Sequence, residues 1–344
     1  MPRPLALTMG EPAGIGGEIT LKAWQAERAA IHPFFVIADP EYLSVQAKDL
    51  NLDVPVRTIA APAEAAAVFP HALPVLPLPL PEPAHPGQPD TRNAEVVLGS
   101  ISRAVALVQA GDAAAVVTNP IHKKVLADAG FAHPGHTEYL GELTGAERPT
   151  MMLACPGLRV VPVTVHLPLA DAIAAITTEA IAAAGRITAE ALVRDFAIAE
   201  PIIAIAGLNP HAGEQGMLGR EEEDVIVPAV QTLIAEGINV TGPAPADSLF
   251  HARARKGYDA VLCMYHDQAL IPLKTIDFDN GVDITLGLPI IRTSPDHGTA
   301  FEIAGRGIAR PDSLVASLRT ARTMAENRRS WEMTASERPV LAED

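Results

Sequence analysis

Aromatic side chains are scarce in this 344-residue chain, where Phe, Trp and Tyr together make up 4% of the residues. A core must therefore be filled by Ala, Val, Ile and Leu, in a sequence that is 48% apolar overall. That balance suits Ala-rich helices packed on a mostly parallel sheet. Cysteine is nearly absent. The two present, Cys155 and Cys263, lie in the apolar runs MMLAC and AVLCMY, as expected of small buried thiols in a reducing compartment.

Positive charge is also short. Against 41 Asp and Glu there are 26 Lys and Arg, giving a net charge of −15 and a pI of about 5.1. Such a chain repels phosphate backbones and anionic lipid, so neither nucleic acid nor a membrane is the expected partner. An anionic substrate would need a local cationic pocket working against the global field. No run approaches the ~20 apolar residues that span a bilayer. The apolar stretch of MPRPLALTMGEPAGIG is too short for a signal peptide, and a soluble cytoplasmic protein is expected.

Two nucleotide-binding patterns are missing as well. Gly14-x-Gly16 would need glycine at position 19 to complete Gly-x-Gly-x-x-Gly, and Ile19 stands there. No Gly-Lys-Ser/Thr phosphate loop occurs. If the chain uses NAD(P), it does so without the ordinary Rossmann loop.

What is present alternates. Short β-branched runs follow Ala-rich helical stretches, the rhythm of βαβ units, and the length allows two or three domains or one large α/β body divided by a cleft. Strands are expected at Ala6–Met9, Phe34–Ala38, Ala113–Thr118, Arg159–Val165, Ile202–Ala206 and Ala260–Met264. Helices are expected from near Gly17, over Asn93–Ala110, over Thr178–Asp195, ending near Gly257, and over Ser313–Asn327, with a frayed tail after Trp331. Eight prolines between Pro70 and Pro89 read as an irregular connector.

Three apolar runs end at a histidine: VVPVTVHLPL at His166, IIAIAGLNPHAGEQG at His211 and AVLCMYHDQALIP at His266. Open α/β sheets bind ligands outside the carboxyl ends of their strands. One histidine there is more often a structural hydrogen-bonding group, but three could converge on one divalent cation. Three imidazoles with an open fourth position are the arrangement of a catalytic metal. Asp247 and Asp267 are the carboxylates placed to fix imidazole tautomers. Lys274 and Arg292 supply donors for phosphate or carboxylate, Arg as a fork and Lys as a mobile charge. In Pro134-Gly135-His136-Thr137-Glu138 a loop enters a helix, where free N–H groups favour anions, with capping by Thr137 the plainer reading.

At these residues the chain resembles the PdxA-type dehydrogenases. The matching stretches run from GEPAGIG at Gly10 through VTNPIHKK, GHTEYL, VTVHLPL, GLNPHAGE, PADSLF, YHDQALIPLK and GLPIIRTSPDHGTA to Arg306-Gly307. The resemblance implies an α/β fold of the isocitrate and isopropylmalate dehydrogenase type, two lobes with the active-site cleft between them. It would divide into 1–130 plus 290–344 on the cofactor side and 131–289 on the metal and dimer side. That fold carries NAD(P) without a Gly-x-Gly-x-x-Gly loop.

The resemblance also implies roles. His166, His211 and His266 would hold the metal, with ligands from both subunits of a homodimer. His136, Thr137, Lys274, Asp283 and Arg292 would meet the substrate, and His297, Gly298 and Thr299 the adenine end of NAD or NADP. Asp247, Asp267 and Lys274 are the catalytic candidates. Asp283 stands where the family pattern has Asn; a carboxylate only accepts hydrogen bonds, so its charge suits a substrate ammonium and opposes a phosphate.

The implied reaction is that of an oxidoreductase of pyridoxal 5′-phosphate (vitamin B6) biosynthesis. 4-Phosphohydroxy-L-threonine would be oxidised at C3 and decarboxylated to 3-amino-2-oxopropyl phosphate. Zn2+ or Co2+ suits three imidazoles, and nearby carboxylates also admit Mg2+ or Mn2+. Two alternatives stay open. One is the same chemistry on a threonate or erythronate phosphate or a cyclic dihydrodiol acid. The other is a metal-dependent phosphohydrolase or phosphotransferase needing no nicotinamide.

Overall fold

The computed structural model describes residues 3–133 and 135–336. The chain divides into two compact units, Met1–Pro149 with Val282–Arg322, and Thr150–Gly281 with Thr323–Asp344. In chain order the strands are β1 (Leu5–Thr8), β2 (Phe34–Ala38), β3 (Val56–Thr58), β4 (Leu73–Pro77), β5 (Val116–Val117), β6 (Thr150–Cys155), β7 (Leu158–Pro162), β8 (Ile203–Ala206), β9 (Val240–Ala244), β10 (Ala260–Cys263), β11 (Val282–Leu286) and β12 (Arg292–Pro295).

The first unit orders its strands β3-β4-β2-β1-β5-β12-β11, parallel throughout except for the antiparallel β11–β12 pair. Every residue of β1 and β2 is buried, as a parallel sheet covered on both faces requires. The few aromatic rings are concentrated here: Phe69 packs edge-on against Trp24 and Phe34, with centroids 6.5 and 5.0 Å away. In the second unit the order is β6-β7-β10-β8-β9, again parallel apart from the β6–β7 hairpin. Its core gathers Leu153, Val160, Ala204, Val261, Cys263 and Leu273.

Local chemistry sets the helix ends. Asp39 caps the helix Pro40–Asp49 by accepting from the N–H groups of Glu41 and Tyr42, with Pro40 in the first turn. Thr177 caps Thr178–Arg194 through the Ala180 N–H. Asp195, at the far end of that helix, is buried between Arg194 and Arg328, whose nitrogens lie 3.0 and 2.7 Å from its Oδ1.

Several expectations change. The proline-rich connector contains β4, an inner strand between β3 and β2. Its two prolines remove no ladder bond: Pro74 precedes the first pairing with β2, at Val75, and Pro77 follows the last pairing with β3, also at Val75. The run expected at 113–118 is strand only at Val116–Val117. The helix expected to end near Gly257 is a single 310 turn, Ala254–Lys256. The last helix spans Asp312–Ser336 and continues past Trp331.

The unit boundaries also fall elsewhere than at 130 and 290. The helix His136–Thr144 buries Leu140 in the first unit's core, so that unit extends to Pro149. The β11–β12 hairpin brings Val282 into it, while Asn327 and Arg328 bond to Asp195 and join the C-terminal segment to the second unit.

Both cysteines are buried and unbridged. Burial, with Asp277 nearby, pushes the Cys155 thiol up to about 11, and burial also raises Cys263. Neither is a reactive thiolate. Among the described residues no single helix is long and apolar enough to cross a membrane.

Candidate functional site

The three histidines follow three adjacent parallel strands, β7, β10 and β8. His166 lies four residues past β7, His266 opens the helix His266–Ile276 after β10, and His211 sits in the turn Pro210–Glu214 after β8. Cross-links hold these strand ends together. Thr164 donates to the Met264 carbonyl at 2.8 Å. Gln268 accepts from the Met264 N–H at 2.6 Å and donates to the Gly207 carbonyl at 2.8 Å.

Backbone strain marks the same places. His166 and His211 have φ of 51° and 55°, and the left-handed stretch continues through Ala212, Gly213, Glu214 and Gln215. A non-glycine residue there costs energy and persists where its surroundings over-determine it. Glu222 does so for the His211 loop. It is 3% exposed; its Oε1 accepts from the N–H groups of Leu208 and Asn209 at 2.8 and 2.7 Å, and its Oε2 from the Asn209 amide at 2.9 Å.

Within one chain the rings of His166 and His266 come together, with centroids 5.7 Å apart. Two imidazoles bound tetrahedrally to one ion at ~2.1 Å would have centroids roughly 5 Å apart, so this pair fits a shared cation. Asp267 lies 2.7 Å from His266 Nδ1, which leaves Nε2 as the ligating nitrogen. Among the described residues no group of three His, Cys, Asp or Glu is gathered for a metal, so His211 is not joined to the other two within the chain. Asp247 is exposed on the 310 turn Ala246–Ser248. Lys274 lies eight residues after His266, about 12 Å along the helix, with its ammonium over the Phe278 ring at 5.7 Å.

In the first unit the cationic centre is Arg292, which opens β12 opposite Val116 and Thr285 and is 2% exposed. Its Nε and Nη2 donate to Thr118 Oγ1 at 3.2 and 2.8 Å, and its Nη1 to Asp283 Oδ2 and Thr285 Oγ1, both at 2.9 Å. Four of its five N–H donors are thereby engaged, so the free fork expected for an anion is largely closed. Ser294, facing Asp283 across the ladder, also donates to Oδ2, at 3.3 Å. The other carboxylate oxygen, Oδ1, is buried and accepts no hydrogen bond.

His136 opens the helix His136–Thr144, whose N-cap is Gly135 with no side-chain cap; Thr137 lies in the first turn. Burial first, then the charges of Arg292 and Lys123, hold the His136 imidazole well below its ordinary pKa. Its Nε2 is buried without a partner. Lys123 lies against this loop: a Cβ built on Gly135 would stand 3.3 Å from its Cε and 3.5 Å from its Nζ. Pro134 lies outside the described residues.

The segment at 297–299 meets the glycine-rich turn after β1. The Thr299 carbonyl accepts from the Ile15 N–H at 3.0 Å, and a Cβ at Gly14 would come within 2.9 Å of it. A Cβ at Gly298 would meet nothing within 4 Å, so the backbone there is open to a ligand. His297 Nδ1 lies 3.1 Å from the Gly298 carbonyl.

Lys123 and Glu222 were missed by sequence reasoning. Lys123 had a signal in the quoted VTNPIHKK, while Glu222 sits in the charged run EEED, which reads as a solvated face.

Comparison with known proteins gives a consistent result. The model of the family described as pyridoxal phosphate biosynthetic protein PdxA matches residues 30–321. A 4-hydroxythreonine-4-phosphate dehydrogenase of Caulobacter vibrioides is 54% identical over 332 residues, covering 95% of this chain and 98% of the relative. The crystal structure of a 4-hydroxythreonine-4-phosphate dehydrogenase from Klebsiella pneumoniae superimposes with a TM-score of 0.85 at 38% identity, covering 94% of this chain and 99% of that one. A terephthalate 1,2-cis-dihydrodiol dehydrogenase from Burkholderia xenovorans follows at a TM-score of 0.63 and 29% identity, covering 94% and 98%.

Proposed function

The chain belongs to the PdxA family of pyridoxal phosphate biosynthetic proteins, and on that premise we propose that it converts 4-phosphohydroxy-L-threonine to 3-amino-2-oxopropyl phosphate. It is an oxidoreductase of the dehydrogenase type, as its relatives are. The observation that carries the reading is the His166–His266 pair at the ends of neighbouring strands, with Asp267 fixing one ring.

The reaction removes a hydride from C3 to NAD+ or NADP+ and the hydroxyl proton to a base. The β-keto acid so formed loses CO2, and a proton returns to the carbon that carried it. A divalent cation held by His166, His211 and His266 would draw charge toward the substrate oxygen and stabilise it through oxidation and decarboxylation. The donor set favours Zn2+ or Co2+, with Mg2+ admitted by the carboxylates. Because one chain pairs only two of the imidazoles, the reading assigns the complete set to a homodimer.

The chain's own residues do the rest. Lys123, the N–H groups at His136 and Thr137, and Lys274 bind the anionic ends of the substrate. His136, kept neutral, adds a hydrogen bond without another charge. Asp267 and Asp247 are the proton acceptors within the histidine segments. His297, Gly298 and Thr299 receive the coenzyme, with the glycine admitting close approach. A cytoplasmic location fits a chain with two unbridged thiols.

The test is formation of reduced nicotinamide with 4-phosphohydroxy-L-threonine, using NAD+ and NADP+ in turn, before and after chelation and metal add-back. Metal-dependent turnover is expected. A folded, metal-loaded protein that turns over only a threonate phosphate, an erythronate phosphate or a dihydrodiol acid would place it beside the Burkholderia relative in chemistry. Indifference to nicotinamide would leave the phosphohydrolase reading.

A further inference from the structure

Arg292 and Asp283 form a buried pair in which the two partners are unequally satisfied. The guanidinium has four of its five donors engaged, by Thr118, Thr285 and Asp283. The carboxylate has one oxygen bonded to Arg292 and Ser294, and the other buried and bare. Leaving a buried charged acceptor without a donor is costly, and a carboxylate can be relieved only by a donor. A phosphate or a carboxyl group of a ligand supplies none. A cationic N–H supplies the strongest relief, because a charge-assisted hydrogen bond is about twice as strong as a neutral one.

The surroundings narrow the choice. His136 is close enough to Arg292 and Lys123 for both charges to act on it, and its own Nε2 is buried without a partner. Two unsatisfied buried groups, one an obligate acceptor, thus flank one guanidinium whose charge is already matched. This corner is built for a polar group bearing donors, while Lys123 and the open helix start offer what an anion needs.

We propose that Asp283 receives the ammonium group of the substrate and makes the enzyme selective for a 2-amino over a 2-hydroxy phosphorylated acid. The inference rests on the dehydrogenase reading above and adds to it the residue that distinguishes two substrates differing at one carbon. The hydroxy acid can offer one neutral donor where the amino acid offers charged ones, and a site built around a hydrogen bond discriminates sharply against its loss.

The experiment compares 4-phosphohydroxy-L-threonine with D-erythronate 4-phosphate on the metal-loaded protein, by calorimetric binding and by turnover. The wild type should bind the amino acid about tenfold or more tightly. Asp283→Asn should shrink that ratio by about the same factor, mostly through KM, and Asp283→Glu should keep more of the preference than Asn. Equal losses for both ligands in Asp283→Asn would overturn the proposal, since a merely structural role through Arg292 predicts that outcome. A wild type without preference would overturn it even if the variant failed to fold. Selective binding without turnover of either compound would uphold the assignment and reject the reaction instead.

Discussion

The Glu222 carboxylate grips Asn209 twice, accepting its backbone N–H at 2.7 Å and its side-chain amide at 2.9 Å. Asn209 lies two residues before His211, so the buried acid holds the entrance of a left-handed loop that carries a candidate metal ligand. Replacing it with Ala leaves two N–H groups unsatisfied and lets that loop relax. Glu222→Ala should weaken cation binding about 10–100-fold while far-UV circular dichroism stays that of the wild type. Titration with Co2+, followed by its absorbance, measures this, and unaltered affinity would show that the loop is held by other contacts.

Asp267 acts on His266 from outside the cation's reach. Asp267→Asn should lower metal affinity by about tenfold or more, and His266→Ala should abolish tight binding. If the asparagine variant binds metal as the wild type does, the 2.7 Å contact to Nδ1 does not set the ring's orientation.

His136 should remain neutral throughout the physiological range. Burial and the neighbouring cations place its folded pKa well below 6.5, so below about pH 6.5 the unfolded chain takes up a proton that the folded chain refuses. Its contribution to stability is therefore complete above that pH and declines as the solution is acidified. Imidazole NMR should show no titration of His136 between pH 6 and 8; a midpoint in that window would contradict the burial argument.

Asp195 has the same sign at lower pH. Burial works against its ionisation, but the hydrogen bonds from Arg328 and Arg194 prevail and bring its pKa below the ordinary 3.8. The stabilisation is present above about pH 4 and is lost as pH falls through the depressed value. Asp195→Asn should cost about 3 kcal/mol at neutral pH, and this deficit should shrink toward acid in urea melts. A deficit independent of pH would assign the effect to packing.

Gly10 has φ of +72°, and a methyl group there would stand 2.7 Å from both Asn119 Cβ and the Pro120 carbonyl. Gly10→Ala should destabilise by about 2 kcal/mol or more and displace the turn that meets Thr299. A thermal melt of the variant unchanged from wild type would mean the turn adapts freely.

What the sequence disclosed and what it hid follow from range. The histidines were legible because a strand and the residue behind it are contiguous, so MYH and TVH carry the signal locally. Helices such as Thr178–Arg194, with a cap at one end and arginine at the other, were equally plain. β4 was hidden because its prolines forbid a strand in general and permit one only where the neighbouring ladders begin and end, which no local pattern states. Arg292 looked like an open fork because its partners Thr118 and Asp283 are brought to it by sheet pairing. Glu222 looked like a surface acid because the loop it anchors lies 13 residues away.

The order β7-β10-β8 has a consequence for which cations the protein can favour. Neighbouring strands lie about 4.8 Å apart because their peptide groups bond to one another, so the spacing of the points from which His166, His266 and His211 depart is a property of the backbone. The sheet is a ruler that side-chain mutation cannot re-graduate. Evolution of metal preference in this scaffold must then proceed by tilting rings, through residues such as Asp267 and Glu222, while the distance between their roots stays constant.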